Sequence, residues 1–183
     1  MPTIGEVHPK GKYYLGVDFA RMGQDSSCFV VVEDAWNDDV IRVVYIEETR
    51  HKVLTDSVGR VVLLNHKFKF EKIYLDTTGL GAGPGDVLAE KLGRKVEQVT
   101  FTSKSKQDIY SNLKVLMEKG KLKLPNNKKL LYQLMDLRYE LSSSGNMKIH
   151  HSERGHDDYC DALALAVYYF KPRPRSRPFI RGL

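Results

Sequence analysis

Three runs rich in Val, Ile and aromatic residues follow one another within the first 50 residues and constrain how this chain begins to fold. We predict strands at residues 13–19, 27–34 and 40–48, because β-branched and aromatic side chains suit a pleated, half-buried surface. The stretch WNDD between the second and third runs is typical of a turn. The chain is therefore expected to start as an antiparallel meander of three strands.

Helical and strand patterns alternate after this meander. Apolar residues at helical spacing, Val58, Val61, Val62 and Leu64, predict a crossover helix over 54–68. The pattern then predicts a strand at 72–76, a Gly-rich loop, a short helix in DVLAEKLG closed by Gly93, a strand over 95–101, helices at about 105–119 and 127–142, a hairpin arm in SSSGNMKIHH and a last helix at about 157–171. The second of the two middle helices is expected to pack on the sheet. This order predicts an α/β fold with a mixed central β-sheet of about five strands or more, flanked by helices.

Aspartates stand where three of these predicted elements begin or end. Asp18 ends the first strand, Asp76 ends the fourth, and Asp157, Asp158 and Asp161 open the last helix. Any one of them alone fits a turn or a helix cap. Burying the apolar last helix would carry its carboxylates toward the other two, and unpaired buried charge is costly without a cation. The combination indicates a carboxylate site for Mg²⁺ or Mn²⁺, which prefer oxygen ligands.

The spacing within the acidic cluster predicts different roles for its members. Asp158 and Asp161 are three residues apart and share a helix face, whereas Asp157 points about 100° away from Asp158. We expect Asp157 and the neighbouring His156 to orient the ligands rather than touch a metal. The sequence leaves open which of the three aspartates bind.

The positive charge is concentrated at the C-terminal end. The net charge is +6, and residues 171–183 hold five cations and no acid, which leaves +1 for the other 170 residues. We predict a flexible segment over 1–12, one domain over 13–170 and an extended Pro/Arg-rich tail over 171–183, which binds phosphates or a protein partner or is merely solvated. No apolar run reaches the roughly 18 residues that a bilayer requires, so we expect an intracellular protein with no membrane contact.

Three motifs together resemble a known family. GVDFARMGQDSS, IYLDTTGLGAG and GHDDYCDALALAV occur in the order found in the nuclease domain of the large terminase subunit of tailed viruses, a member of the ribonuclease H-like superfamily. The resemblance covers about residues 12–170. It implies a ribonuclease H-like fold and a metal-dependent endonuclease that cuts double-stranded viral DNA concatemers during genome packaging.

The resemblance also implies cofactors, partners and site residues. Asp18, Asp76 and Asp158 match the family's metal-binding, catalytic acids, and Asp161 is similar to a position where some members supply a further ligand. Two Mg²⁺ or Mn²⁺ ions, bridged by Asp18, would activate water and stabilise the leaving oxygen. A portal protein and a small terminase subunit are the implied partners, the host cytoplasm is the implied location, and the isolated domain is expected to be monomeric.

Cations near the acidic face are candidates for contacts with the DNA backbone. They are Arg21, Lys104, Lys106, Lys148 and Arg154. Arg21 closely follows Asp18, and Lys148 and Arg154 belong to the predicted hairpin arm and the segment that follows it.

Other classes of protein fit the sequence less completely. A Holliday-junction resolvase or a transposase-like nuclease explains the acids equally well, whereas a non-catalytic DNA-binding module explains the tail but not the carboxylates. An actin-like or sugar-kinase-like ATPase requires two copies of the fold and a longer chain. The loop GLGAGPGD lacks the Lys and hydroxyl of GxxxxGK[ST], so we expect no packaging ATPase here. Either an excised C-terminal domain or a stand-alone nuclease is compatible with this.

Overall fold

The computed structural model describes residues 3–4, 7–19, 26–35, 39–50, 54–78, 83–141, 147–150 and 157–170. The strands are β1 (Thr3–Ile4), β2 (Lys12–Asp18), β3 (Ser26–Asp34), β4 (Ile41–Arg50), β5 (Lys72–Asp76), β6 (Val96–Val99), β7 (Leu122–Lys123), β8 (Arg138–Leu141) and β9 (Met147–His150). The helices are α1 (Leu54–Phe68), α2 (Pro84–Leu92), α3 (Ser103–Glu118), α4 (Lys128–Asp136) and α5 (Asp158–Ala166). Short 3₁₀ turns follow α2 at Gly93–Lys95 and α5 at Tyr168–Phe170.

A mixed seven-stranded sheet forms the centre of the molecule. Its order is β1-β4-β3-β2-β5-β6, with β7 paired to β4. Strands β2, β3 and β4 form the predicted antiparallel meander, whereas β5 and β6 run parallel to β2. The predicted α/β, ribonuclease H-like class of fold is confirmed. A separate hairpin pairs β8 with β9.

Both faces of the sheet are covered by helices, which explains why its central strands are apolar at nearly every position. Tyr14 and Tyr74 lie on one face in a core completed by α3, α4 and α5. Leu15, Val17 and Leu75 lie on the other face, against α1 and α2. Since side chains alternate between the two faces of a strand, Asp18 and Asp76 lie on the face that α5 covers.

Helix α5 is buried along almost its whole length. Every residue from Tyr159 to Ala166 is buried. It approaches β2 at Gly16, where a Cβ atom would overlap the carbonyl oxygen of Ala162 and the amide nitrogen of Ala166. Small residues on both sides of this contact therefore let the helix lie directly on the strand.

Several predicted elements differ from the structure. The helix predicted over 127–142 ends at Asp136, and residues 138–141 form β8 instead. Leu137, Tyr139 and Leu141 are spaced at every second residue, which also suits a strand, and backbone pairing with β9 settles the choice. Helix α4 packs against α5, and its Leu130 joins the core on that face of the sheet.

The two ends of the domain also differ from the prediction. Part of the segment predicted to be flexible, Thr3–Ile4, is a strand paired with Ile46 and Tyr45, because the edge of β4 offers unpaired backbone groups. The α-helical part of the last helix stops at Ala166 rather than near 171. The tail over 171–183 lies outside the described residues, so the domain limits stay predictions. No helix in the described ranges is both long and apolar enough to cross a lipid bilayer.

The close contact at Gly16 makes a testable prediction. Gly16→Ala forces α5 away from β2. Overpacking of this kind should lower the free energy of unfolding by about 1–3 kcal/mol or more. The measurement is the urea midpoint followed by circular dichroism. Gly59→Ala is the matched control, because a Cβ atom there meets nothing within 4 Å and alanine favours a helix by about 0.5–1 kcal/mol. A Gly16→Ala protein as stable as wild type would contradict this account of the contact.

Candidate metal centre

Two strands bring the first two predicted acids side by side. Asp18 is the last residue of β2 and Asp76 the last of β5, and the two are direct partners in the parallel register. The carboxyl ends of neighbouring parallel strands meet at one edge of a sheet, so this pairing is a consequence of the topology. Asp76 is buried and Asp18 is partly exposed.

The carboxylate of Asp76 is fixed by its own turn. Its Oδ1 atom accepts hydrogen bonds from the backbone N–H of Thr78, at 2.8 Å, and from the Thr78 hydroxyl, at 2.5 Å. The same hydroxyl oxygen accepts the N–H of Phe101 at 2.7 Å. Thr78 therefore ties the end of β5 to the segment that leads into α3.

The first turn of α5 supplies the remaining acids. Asp157 is the N-cap residue, Asp158 is the first helical residue, and Asp161 lies one turn further on. Because α5 lies on β2 at Gly16, this turn stands close to the end of that strand. Burial first, and then repulsion from Asp161, Asp158, Asp76 and Asp157, raise the pKa of Asp18 well above its ordinary value. The acids predicted from three separate motifs therefore form one electrostatic cluster.

Lys106 of α3 faces this cluster and binds two of its carboxylates. Its Nζ atom lies 2.9 Å from Asp157 Oδ2 and 3.1 Å from Asp161 Oδ2. The ammonium group also lies 5.4 Å from the ring centroid of Phe101 and 5.6 Å from that of Tyr110. Burial lowers the pKa of Lys106, but the carboxylates of Asp161 and Asp157 outweigh this and raise it, so the side chain stays charged.

This placement argues against the predicted phosphate contact of Lys106. Its charge is directed into the protein, because two carboxylates and two aromatic rings surround it. The sequence showed the charge but not its partners, which lie 51 and 55 positions away along the chain.

Asp161 has protein donors on both carboxylate oxygens. Lys106 binds Oδ2, and the Tyr110 hydroxyl donates to Oδ1 at 2.7 Å. Burial raises the pKa of Asp161 to about 7, partly offset by the attraction of Lys106. These contacts favour a role for Asp161 as an anchor for Lys106 and Tyr110. The predicted role of Asp161 as a metal ligand stays a prediction.

The other predicted site residues are placed less fully. Lys104 is exposed in the first turn of α3. Lys148 belongs to β9, but its side chain is outside the described part, as are the whole of Arg21, Arg154 and His156. Within the described ranges, no three Asp, Glu, His or Cys side chains converge closely enough to hold one metal ion as they stand. Asp76 faces Thr78, and Asp157 and Asp161 face Lys106.

One acid near this cluster was missed by the sequence analysis. Glu48 of β4 continues the row that runs across the sheet from Asp76 through Asp18 and Cys28. No motif marks it, because the register that aligns these strands is a long-range property. The sequence offers one signal for Glu48, the alternation of side chains between the two faces along β4. This alternation predicts the face on which Glu48 lies, but not its neighbours on the adjacent strands.

Comparisons with known proteins agree with the fold. Residues 15–170 match the family described as the terminase RNaseH-like domain. The large terminase subunits of Thermus virus P23-45 and Thermus phage G20c are both 32% identical to this chain over 175 residues, 92% of the chain and 34% of each relative. The chain thus spans about a third of the length of these curated relatives.

Solved structures give the same answer. The large terminase nuclease from the thermophilic phage G20c, with bound magnesium, superposes with a TM-score of 0.76 at 30% identity, covering 88% of this chain and 83% of that one. The large terminase nuclease domain of Thermus phage P74-26 gives a TM-score of 0.75 at 28% identity, covering 94% and 87%. Because the family match takes in most of the chain and these similarities extend over nearly all of it, the chain belongs to the terminase RNase H-like nuclease domain family.

Proposed function

We propose that this chain is a metal-dependent endodeoxyribonuclease that cuts double-stranded viral DNA concatemers during genome packaging. The observation that carries the proposal is the gathering of five aspartates from β2, β5 and α5 at one end of the sheet, in a member of this family. Phosphodiester hydrolysis at such a site requires no side-chain nucleophile, since metal-bound water can attack.

The charge balance of the site supports a bound cation. Asp18, Asp76, Asp157, Asp158 and Asp161 contribute five carboxylates, and the ammonium group of Lys106 binds two of them. Buried like charges repel one another, and divalent cations offset that repulsion. The nuclease of phage G20c has been solved with magnesium, cobalt and zinc, which agrees with a divalent ion.

Three acids are the proposed ligands. Asp18, Asp76 and Asp158 would hold two Mg²⁺ or Mn²⁺ ions, since β2 brings Asp18 beside Asp76 and the first turn of α5 brings Asp158 close to the end of β2. Bound metal would supply Lewis acidity and an activated water. Thr78 orients Asp76, and Asp157 and Asp161 hold Lys106 beside the site. Lys104, Lys148, Arg21 and Arg154 remain proposed contacts for the DNA backbone, and His156 a proposed orienting residue.

The wider setting is part of the same proposal. Since the chain spans about a third of its relatives, an ATPase motor, a portal protein and a small terminase subunit are proposed as parts of the complete packaging assembly. That assembly would act in the cytoplasm of an infected cell. The isolated domain is proposed to be a monomer.

Cleavage of plasmid DNA tests the proposed activity. Wild type should nick and linearise duplex DNA in Mn²⁺ or Mg²⁺, and excess EDTA should abolish this. Loss of a residue that only supports a metal ligand typically lowers activity about 10- to 100-fold. Asp18→Asn and Asp76→Asn remove proposed ligands themselves, so their cleavage rates should fall by at least this factor. Asp86→Asn is the control, because Asp86 is exposed on α2 at the other face of the sheet.

Two outcomes would contradict this proposal. Cleavage that persists in excess chelator would rule out the metal mechanism, and full activity of Asp18→Asn would show that the site lies elsewhere. A strong preference for four-way junctions over linear duplex would favour the resolvase alternative.

The raised pKa of Asp18 predicts that Asp18→Asn stabilises the metal-free protein, and more strongly at high pH than at low pH. When the pKa of an aspartate is higher in the folded state than in the unfolded state, the protein loses stability as the pH rises from the unfolded pKa through the folded pKa. Asp18→Asn should therefore have a higher urea midpoint than wild type at pH 8 in EDTA, and the difference should shrink toward pH 4. If Asp18→Asn were less stable than wild type at pH 8, the carboxylate would have a structural role in its turn.

The basic tail makes a separate prediction. Three prolines in 171–183 predict an extended arm, and few of its five cations should meet phosphates together. Deleting 171–183 should lower the slope of log affinity against log salt by about one or two, at about 0.9 per phosphate contact. Cleavage should be nearly intact, because the α-helix from Asp158 to Ala166 alone spans about 12 Å at 1.5 Å per residue and separates Asp158 from the start of the tail. Complete loss of cleavage, with folding retained by circular dichroism, would place the tail in the cutting groove.

A further inference from the structure

The residue that follows Asp158 is held by three residues from other elements. The Tyr159 hydroxyl donates to Glu48 Oε2 at 3.1 Å, and the backbone N–H of Tyr159 donates to Gln133 Oε1 at 2.9 Å. Lys129 Nζ lies 2.7 Å from the same Glu48 oxygen and 4.8 Å from the centroid of the Tyr159 ring. We name this group, Glu48, Lys129 and Gln133 around Tyr159, the Tyr159 clamp.

The hydrogen bond from the Tyr159 backbone N–H to the Gln133 side chain takes the place of a missing helix cap. The first N–H groups of a helix have no partner within it, and an N-cap side chain usually accepts one of them. Asp157 occupies the N-cap position of α5 but makes no side-chain cap bond, since its carboxylate binds Lys106. Gln133, which is 3% exposed, reaches across from α4 and accepts the N–H of Tyr159 instead.

The side-chain half of the clamp is anchored to the sheet. Glu48 belongs to β4 and lies in the same cross-strand row as Asp18 and Asp76. Burial raises the pKa of Glu48, but the bonds from Lys129, Ser26 and Tyr159 outweigh it and lower the pKa to about 2. Glu48 therefore stays ionised and presents a fixed acceptor at a fixed height on the sheet.

We propose that Glu48, Lys129 and Gln133 are positioning residues that set the orientation of Asp158 relative to Asp18 and Asp76. Both the peptide plane and the side chain of Tyr159 are fixed, so the adjoining first residue of α5 has little freedom to turn. A site of this kind is sensitive to such control, because a misplacement of about 1 Å can cost about 100-fold in rate. This inference rests on the proposed metal centre.

The chain contains a matched control on the other face of the sheet. Glu47, the neighbour of Glu48, accepts a hydrogen bond from the Tyr45 hydroxyl at 2.8 Å and lies 2.6 Å from Arg60 Nε. The chemistry is the same, a tyrosine, a glutamate and a cation, but Tyr45 belongs to the core that faces α1 and α2. Removing one hydroxyl from each group separates a general loss of stability from a specific effect on the acids.

The experiment compares Tyr159→Phe with Tyr45→Phe. For each protein, Mn²⁺ binding is measured by the metal-dependent shift in melting temperature, and the half-saturating Mn²⁺ concentration is measured in plasmid nicking. Tyr159→Phe should raise both the dissociation constant and the half-saturating concentration by about tenfold or more, whereas Tyr45→Phe should leave them within about twofold of wild type. Lys129→Met should behave like Tyr159→Phe, and Lys129→Arg should recover most of the loss.

A second pair of variants covers a failure of Tyr159→Phe to fold. Glu48→Gln and Glu47→Gln differ by one position on β4, and only the first should weaken Mn²⁺ binding. Unchanged Mn²⁺ binding in Tyr159→Phe or Glu48→Gln, or an equal loss in the control variants, would overturn the positioning role while leaving the metal centre intact. A wild-type protein with no response to Mn²⁺ would overturn the metal centre and the clamp together.

Discussion

The contact between α5 and β2 at Gly16 determines where the acidic residues of this chain meet. The absence of a side chain at Gly16 lets the backbone of the helix at Ala162 and Ala166 lie against the strand. Once the helix lies there, its first turn stands beside the end of β2, where Asp18 already adjoins Asp76 in the parallel register. The packing that buries most of α5 is thus the same packing that gathers five carboxylates.

Gathering these carboxylates opposes folding, and the surrounding residues offset only part of the cost. Lys106 neutralises one charge across Asp157 and Asp161, and Tyr110 donates to Asp161. Burial first, and then the repulsion that remains among the carboxylates, raise the pKa of Asp18. A cluster retained under such repulsion fits a site whose missing counter-charge is supplied by a ligand, since natural proteins tolerate local destabilisation mainly where function needs it.

Local patterns predicted most of the fold, whereas long-range partners could not be read from the sequence. The Val-rich runs predicted β2, β3 and β4 to within two residues, and helical spacing predicted α1 over 54–68. Residues 137–141 were assigned to a helix because leucines there fit both periods, and only pairing with β9 distinguishes them. Lys106 was interpreted as a phosphate contact because charge is visible in a sequence but its partner is not.

The site follows the same division. Its aspartates were predicted because each ends or opens an apolar element, which is a local signal. Glu48, 81 positions from Lys129 and 111 from Tyr159, carries no such signal. The residues that hold a site in place are therefore harder to find than the residues that form it, since any polar residue brought there by the fold can serve.

Glu47 and Glu48 show how the same chemistry is placed in two different settings by position alone. They are consecutive residues of one strand, and the pleat directs them to opposite faces. Each binds a tyrosine hydroxyl and a cation, with hydrogen-bond lengths of 2.8 and 3.1 Å from the two tyrosines. The Glu47 group ties α1 to the sheet through Arg60, which stabilises a face that lacks the acids. The Glu48 group ties α4 and α5 to the row that contains Asp18, so a bond of the same kind acts there on the geometry of the acidic cluster.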